Sequence, residues 1–254
     1  MNLDNDRTHR RGLIDHPGLQ ILMPHLQSYL RKGLAELRSS GTTFQASVSE
    51  IYAAGVADRV SELDNALAAL RLALGFAMDL GNQPRPDPDV YRYHYENFVL
   101  RVIGFVDRAH RLVGAALVMD KTRFESISGN RFVQEQVKAN HPDIHAALQG
   151  VTQAVESYRG PRNELIHASA FSSRELGLFQ SIRQIGMDTG DVDVDELARH
   201  YFSEGSKEIV QTIARLVDAL TALLDSLAPL FTIAAKHNDG NMPKKSAPEG
   251  ADLV

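Results

Sequence analysis

The segment Ile209–Ala234, IVQTIARLVDALTALLDSLAPLFTIA, decides the fold class of this chain. Its large apolar side chains recur every three or four residues, which is the spacing of one face of an α-helix. They are Ile209, Ile213, Leu216, Leu220, Leu223, Leu227 and Leu230. A stripe this continuous has to be buried against other elements. The segment therefore predicts a long core helix, with Pro229 as the point where it can kink.

Helical spacing extends over nearly the whole chain, and no strand-like alternation of useful length interrupts it. We predict helices over about 19–37, 48–74, 89–119, 124–138 and 143–158, and from Pro161 onward. Residues 177–195, with several glycines and aspartates, are predicted to form a long loop with at most a short element in it. Asp195 is predicted to cap a short helix through Tyr201. The fold class is therefore all-α, a bundle built around facing apolar stripes.

Three prolines within residues 84–88 punctuate the helical pattern. We therefore predict a helical hairpin over 1–83, packed on the core, and a helical bundle over 89–236. The polar stretch 238–254, with glycine, proline and lysine, is predicted to be a disordered tail.

Composition restricts the function classes. The chain has 254 residues, no cysteine and a formal net charge of −5. The lack of cysteine excludes disulfides and thiolate metal sites and suits a cytoplasmic protein. An acidic chain is a poor fit to a protein that coats nucleic acid, although an enzyme with a local basic cleft remains compatible. Neither a signal-peptide core nor an apolar run near the roughly 20 residues of a membrane span is seen, so no membrane association is expected.

The segment 158–167, YRGPRNELIH, carries the clearest chemistry. Proline is favoured at the first position of a helix, so Pro161 predicts a helix start with Arg162 and Asn163 in its opening turn. Helix starts attract phosphate, and arginine matches its geometry. Histidine moves protons near neutral pH, and His167 lies one turn after Asn163 on the same face. This is the combination that metal-free cleavage of RNA requires.

A purely structural helix start explains these residues about equally well. In that interpretation Arg162 pairs with a nearby acid, Asn163 satisfies backbone groups, and His167 is packed and hydrogen-bonded. The spacing of arginine, four residues and histidine also occurs at Arg11–His16. That copy lies in a polar N-terminal stretch with no predicted helix to present it, and we interpret it as chance.

The all-α pattern together with Arg162-Asn163-x3-His167 resembles the HEPN (higher eukaryotes and prokaryotes nucleotide-binding) superfamily. The resemblance implies an antiparallel HEPN-like helical bundle over about 89–236, with the N-terminal hairpin as an addition. It implies a metal-independent RNA endonuclease of toxin or phage-defence type, with catalytic Arg162, Asn163 and His167 and no cofactor. It also implies an RNA substrate and a homodimer with a composite active site. An antitoxin is a possible further partner.

Some HEPN domains carry acidic and basic residues on an earlier helix. The resemblance makes Glu96, Arg101, Asp107 and His110, on the predicted 89–119 helix, candidates for supporting roles. Glu96, Asp107 and His110 are expected to project to nearly the same side of that helix. The alternative is an ordinary polar helix face.

In the implied reaction the ribose 2′-hydroxyl attacks its own phosphate, giving a 2′,3′-cyclic phosphate. His167 is the expected general acid or base, Arg162 the phosphate-binding group, and Asn163 the orienting group. Two alternatives remain: a non-catalytic HEPN-like bundle that binds a nucleotide, RNA or protein partner, and a structural helical interaction protein.

The sequence offers two possible metal sites and favours neither. His141 and His145 are four residues apart, but Pro142 places His141 at the helix cap and no cysteine completes a zinc site. Asp191–Asp195 is similar to the start of a calcium loop, but Glu196 replaces the required glycine and Phe202 the final glutamate.

Overall fold

The computed structural model describes residues 12–167 and 173–236, and within those residues it contains helices and no strands. The predicted all-α fold is therefore confirmed. In chain order the α-helices are α1 (Met23–Arg38), α2 (Val48–Gly81), α3 (Pro88–Val102), α4 (Gly104–Ala116), α5 (Lys121–Phe124), α6 (Gly129–Asn140), α7 (Pro142–Val155), α8 (Arg159–His167), α9 (Arg174–Ile185) and α10 (Val194–Lys236). Short 3₁₀ helices cover Leu13–Asp15, Pro17–Leu22 and Glu156–Tyr158.

The chain divides into two compact units, each assembled from separate stretches of sequence. The first unit comprises Met1–Asp64, Arg108–Leu148 and Leu220–Val254, and the second comprises Asn65–Asp107 and Gln149–Ala219. Helices α2, α4, α7 and α10 each contribute residues to both units. The organisation into 1–83, 89–236 and 238–254 stays a prediction, and the tail lies outside the described residues.

In the first unit, a reciprocal pair of hydrogen bonds starts α2. The Ser47 hydroxyl accepts from the Glu50 amide at 3.2 Å, and the Glu50 carboxylate accepts from the Ser47 amide at 2.7 Å. Glu50 is buried, and its carboxylate also accepts from Ser28 Oγ at 2.6 Å and Lys32 Nζ at 2.7 Å. These bonds connect α1 to the first turn of α2.

The second unit has an aromatic core in which Tyr91 of α3 stacks on Phe202 of α10. Their ring centroids are 4.0 Å apart and nearly parallel. A Cβ on Gly205 would lie 2.1 Å from the Tyr91 hydroxyl oxygen, so only glycine allows this approach. The other buried members of this cluster are Ala77, Leu80, Leu176, Phe179 and Ala198.

The helix predicted over 89–119 is instead two helices, because the chain turns at Ile103 between α3 and α4. Gly104 follows that turn, and glycine is the weakest helix former after proline. The helix predicted over 124–138 likewise begins only at Gly129. Asp120 caps α5, accepting from the Thr122 amide at 2.9 Å, so residues 121–124 form a separate turn.

The prediction of a loop over 177–195 was wrong, since α9 occupies Arg174–Ile185. The Ser173 hydroxyl accepts from the Leu176 amide at 3.1 Å and starts this helix, and Gly186 ends it at φ +62°. The short helix predicted from Asp195 to Tyr201 was also wrong, because α10 continues without interruption to Lys236. Its first turn is held by Asp193, whose carboxylate accepts from the Glu196 amide at 2.8 Å.

Helix α10 confirms the predicted long core helix. The side chains of Ile209, Leu216, Leu220 and Leu223 are at most 1 % exposed. By length and composition alone, α10 is also apolar enough to cross a membrane, a property it shares with the core helices of soluble proteins.

Candidate functional site

The motif residues Arg162, Asn163 and His167 lie on α8, which begins at Arg159 and not at Pro161 as predicted. Pro161 has no N–H with which to bond the carbonyl of Ser157. The turn before it tightens to the 3₁₀ helix Glu156–Tyr158, and helical geometry resumes at Arg159.

This earlier start changes the chemistry expected of the backbone. The Arg159 amide donates to the Glu156 carbonyl, so the beginning of α8 is joined to the preceding turn. Arg162 and Asn163 become the fourth and fifth residues of the helix, beyond most of the amides that a helix start leaves free. Anion binding at this site therefore depends on side chains.

The side chains of the motif are open to solvent. Asn163 and His167 are exposed, and Arg162 is partly buried. Arg162 Nη1 donates to Asn163 Oδ1 at 3.4 Å. Across the described residues, neither Arg162 nor His167 has a carboxylate partner within 4 Å, and His167 makes no side-chain hydrogen bond. The geometry thus differs from the ion-paired, packed arrangement of a purely structural helix start.

Asn163 and His167 are one turn apart and project from the same face of α8. The hydrogen bond from Arg162 brings a guanidinium to the edge of that face. The structure therefore presents a cation, an amide and an imidazole on one exposed helix, which is a set able to bind phosphate oxygens and transfer a proton.

Hydroxyl groups of the second unit anchor the chain on either side of the motif in sequence, just before α8 and at the start of α9. Before the motif, Tyr158 is buried edge-on against Phe98 of α3, and its hydroxyl lies 3.4 Å from Thr212 Oγ1 of α10. After the motif, Ser173 Oγ lies 2.7 Å from the hydroxyl oxygen of Tyr201, also on α10. Burial raises the pKa of both tyrosines, which keeps the hydroxyls protonated as donors.

The four predicted supporting residues are not equivalent. Glu96, Arg101 and Asp107 belong to the second unit with the motif, whereas His110 belongs to the first. His110 is 0 % exposed, so it is a core histidine that cannot face a substrate.

The shared face predicted for these residues was wrong. Glu96 lies on α3 while Asp107 and His110 lie on α4, and the turn at Ile103 breaks the register between them. Asp107 and His110 are three residues apart on α4 and lie toward one side of it, but Asp107 is exposed and His110 is buried. Arg101 is exposed and donates from Nε to Asn97 Oδ1 at 2.5 Å.

The other occurrence of the motif spacing, Arg11–His16, ends at a histidine with a structural role. His16 Nδ1 accepts from the Gly18 amide at 3.1 Å, and Nε2 lies 3.3 Å from the Asp225 carboxylate. His16 therefore fixes an N-terminal turn, while Arg11 lies outside the described residues. Across the two described ranges, no three histidine, aspartate or glutamate side chains are grouped so as to hold a metal ion.

The hydroxyl contacts of Tyr158 and Ser173 were not predicted from the sequence. Tyr158 continues the buried spacing of Val151 and Val155, and this signal could have marked it as a core residue. No local pattern connects Ser173 with Tyr201, because their contact depends on how α9 and α10 pack.

A family model described as Cthe2314-like HEPN matches residues 28–231. The match includes α8 and its motif, and it begins inside α1, N-terminal to the 89–236 span that the sequence resemblance implies. Searches of characterised proteins and of solved structures gave no match.

Proposed function

We propose that this chain, which belongs to the Cthe2314-like HEPN family, is a metal-independent RNA endonuclease. The observation that carries the proposal is the set Arg162, Asn163 and His167 on α8, in which the amide and the imidazole are exposed, within the span that matches the family. Its substrate is RNA, because RNA supplies its own nucleophile in the 2′-hydroxyl.

In the proposed reaction the 2′-oxygen forms a bond to phosphorus and the bond from phosphorus to the 5′-oxygen breaks. A base removes the 2′-proton and an acid protonates the leaving 5′-oxygen, giving a 2′,3′-cyclic phosphate and a 5′-hydroxyl. His167 transfers protons, a role worth about 10²–10⁴-fold in rate. Arg162 stabilises the charge that develops on the non-bridging oxygens, and Asn163 orients the phosphate.

The two proton transfers support a homodimer with a composite site. One imidazole cannot serve as base and acid in the same concerted step, and each α8 carries one histidine, His167. A second copy of the chain would supply the other. Ile166, beside His167, is 47 % exposed and adds apolar surface for such a contact.

A cytoplasmic toxin or defence role forms part of the same proposal. The lack of cysteine supports a reducing compartment, and damage to cellular RNA would require an antitoxin or a trigger to restrain it.

The test is cleavage of a labelled RNA in the presence of EDTA, beside matched DNA and 2′-O-methyl RNA. We expect only the RNA to be cut, leaving a cyclic phosphate, and His167→Ala to slow cleavage by at least about 10²-fold. His200→Ala is the matched control, since His200 is an exposed helical histidine of the same unit outside the motif. Equal cleavage by His167→Ala and the parent would overturn the proposal.

The second candidate is a non-catalytic HEPN bundle that binds a nucleotide, RNA or protein partner. The net charge of −5 favours it, because an RNA-cleaving surface gains from positive charge. Binding of RNA without any cyclic-phosphate product would select this candidate.

A further inference from the structure

The proposed RNA site leaves unused an open cavity of about 250 Å³ in the first unit, between α5 and α6. Arg123 and Phe124 end α5, and Arg131 lies in the first turn of α6. Arg123, Arg131, Ser128, Phe132 and Glu135 are among the residues that line the cavity.

Close packing fixes the turn that forms this cavity. A Cβ on Gly129 would lie 2.1 Å from the carbonyl oxygen of Phe124. Only glycine therefore allows the start of α6 to lie this close to the end of α5. Phe124 is buried and lies so close to Gly114 of α4 that a Cβ there would be 2.6 Å from its ring. The backbone segments that carry the two arginines are therefore held close together.

Arg123 is pre-oriented by an aromatic ring. Its guanidinium carbon lies 4.0 Å from the centroid of the Phe132 ring, a cation–π contact. Throughout the described part of the chain it has no carboxylate within 4 Å. Asp120, which caps the same turn, has its pKa lowered first by hydrogen bonds from the side chain and amide of Thr122, and least by the charge of Arg123.

Arg131 is only weakly neutralised. Its Nε lies 3.4 Å from Glu135 Oε1, with the two side chains 82 % and 64 % exposed. Exposed pairs of this kind contribute little to stability and are screened by salt. The Arg131 guanidinium can therefore release Glu135 and bind an anion that holds it more tightly.

We infer that the cavity binds a phosphate group through Arg123 and Arg131. Arg123, Arg131 and Glu135 are the charged residues that line the cavity, so its lining carries a net positive charge, and the planar fork of arginine matches phosphate oxygens. The group belongs either to a free nucleotide or to the backbone of a nucleic acid. This binding does not depend on the motif of α8 or on any cleavage.

Titration calorimetry and amide NMR of the full chain test the site, with inorganic phosphate, a nucleoside monophosphate and an uncleavable 2′-O-methyl RNA oligomer as probes. We expect saturable shifts at the cavity residues. The double variant Arg123→Gln, Arg131→Gln should weaken binding at least tenfold, and Glu135→Gln should strengthen it by removing the competing carboxylate. Arg38→Gln, at an exposed arginine of α1 in the same unit, should leave binding unchanged.

The probes distinguish the source of the phosphate. Binding of the monophosphate at least as tight as that of the oligomer identifies a free nucleotide, and tighter binding of the oligomer identifies a nucleic-acid backbone. The inference fails if phosphate binds no tighter than acetate. It also fails if the double variant, still folded by circular dichroism, binds as well as Arg38→Gln. Neither result bears on whether His167 cleaves RNA.

Discussion

Glu50 is a buried carboxylate that stays ionised because donors surround it. Burial alone would raise its pKa, but the hydrogen bonds from Lys32, Ser28 and the Ser47 amide outweigh burial and hold the pKa below its usual value. A carboxylate with a lowered folded-state pKa adds stability above its unfolded-state pKa and loses it as pH falls through the folded-state pKa.

We therefore expect Glu50→Gln to lower the free energy of unfolding by about 1.5–3 kcal/mol at pH 7, the range for hydrogen bonds to charged groups. The difference from the parent should shrink as pH falls below about 4.5, because the unfolded chain binds a proton there first and the folded carboxylate protonates only at lower pH. Urea unfolding at several pH values measures the loss of stability and its dependence on pH. A difference that does not change between pH 7 and pH 3 would contradict the ionised state of Glu50.

Gly205 allows a residue-scale test of the aromatic core. An alanine there would place its Cβ 2.1 Å from the hydroxyl oxygen of Tyr91, whose rigid ring is held by the stack on Phe202. We expect Gly205→Ala to cost about 1–3 kcal/mol through overpacking. Gly150→Ala, in α7 of the same unit with open space around it, should instead stabilise by about 0.5–1 kcal/mol. Thermal unfolding compares the two, and equal effects would refute the close contact.

At the scale of single residues, the sequence predicted the motif but not its surroundings. The exposed face of Asn163 and His167 follows from their spacing of four. The shared face expected for Glu96 with Asp107 and His110 failed, since the turn at Ile103 places Glu96 on α3 and the other two on α4. Contacts such as Ser173 with Tyr201 join residues 28 apart, and no local pattern encodes them.

At the scale of elements, α9 shows why strong periodicity is needed for a helix prediction. Only Leu176 and Phe179 of this helix are buried, so its apolar stripe is too short to recognise among the glycines and aspartates nearby. Its start depends on one residue, Ser173, whose hydroxyl serves both the Leu176 amide and Tyr201.

Ser173→Ala should remove both interactions and cost about 1–2 kcal/mol, the usual loss for a helix cap. Tyr201→Phe removes only the hydroxyl contact, and we expect a loss of about 0.5–1.5 kcal/mol. In a double-mutant cycle measured by denaturant unfolding, the double variant should lose less stability than the sum of the two single losses. Both single variants remove the same hydrogen bond. Strictly additive losses would show that the two hydroxyls are not coupled.

At the scale of the whole molecule, the all-α fold was predictable because the stripes of α2 and α10 are long and continuous. The family match, over residues 28–231, independently supports a helical bundle. The interleaving of the two units was not predictable, since it depends on long-range packing and not on any punctuation such as residues 84–88.

The proposed composite site makes a prediction for mixed assemblies. If each cleavage needs His167 from both copies, the rate in randomly mixed dimers should fall with the square of the parent fraction as His167→Ala chains are added. Parent and variant chains unfolded together and refolded at several ratios provide the measurement. A linear fall would mean that one chain suffices, and a monomer by light scattering would exclude the composite site.

The interleaved units also have a consequence during protein synthesis. The last stretch of the first unit begins at Leu220, so its core lacks Leu220, Leu223 and Leu227 until both stretches of the second unit have left the ribosome. Neither unit corresponds to a continuous stretch of the gene. Recombination therefore cannot transfer one of them alone as a cassette, and a stop codon within α10 would release a chain with an unfinished first unit.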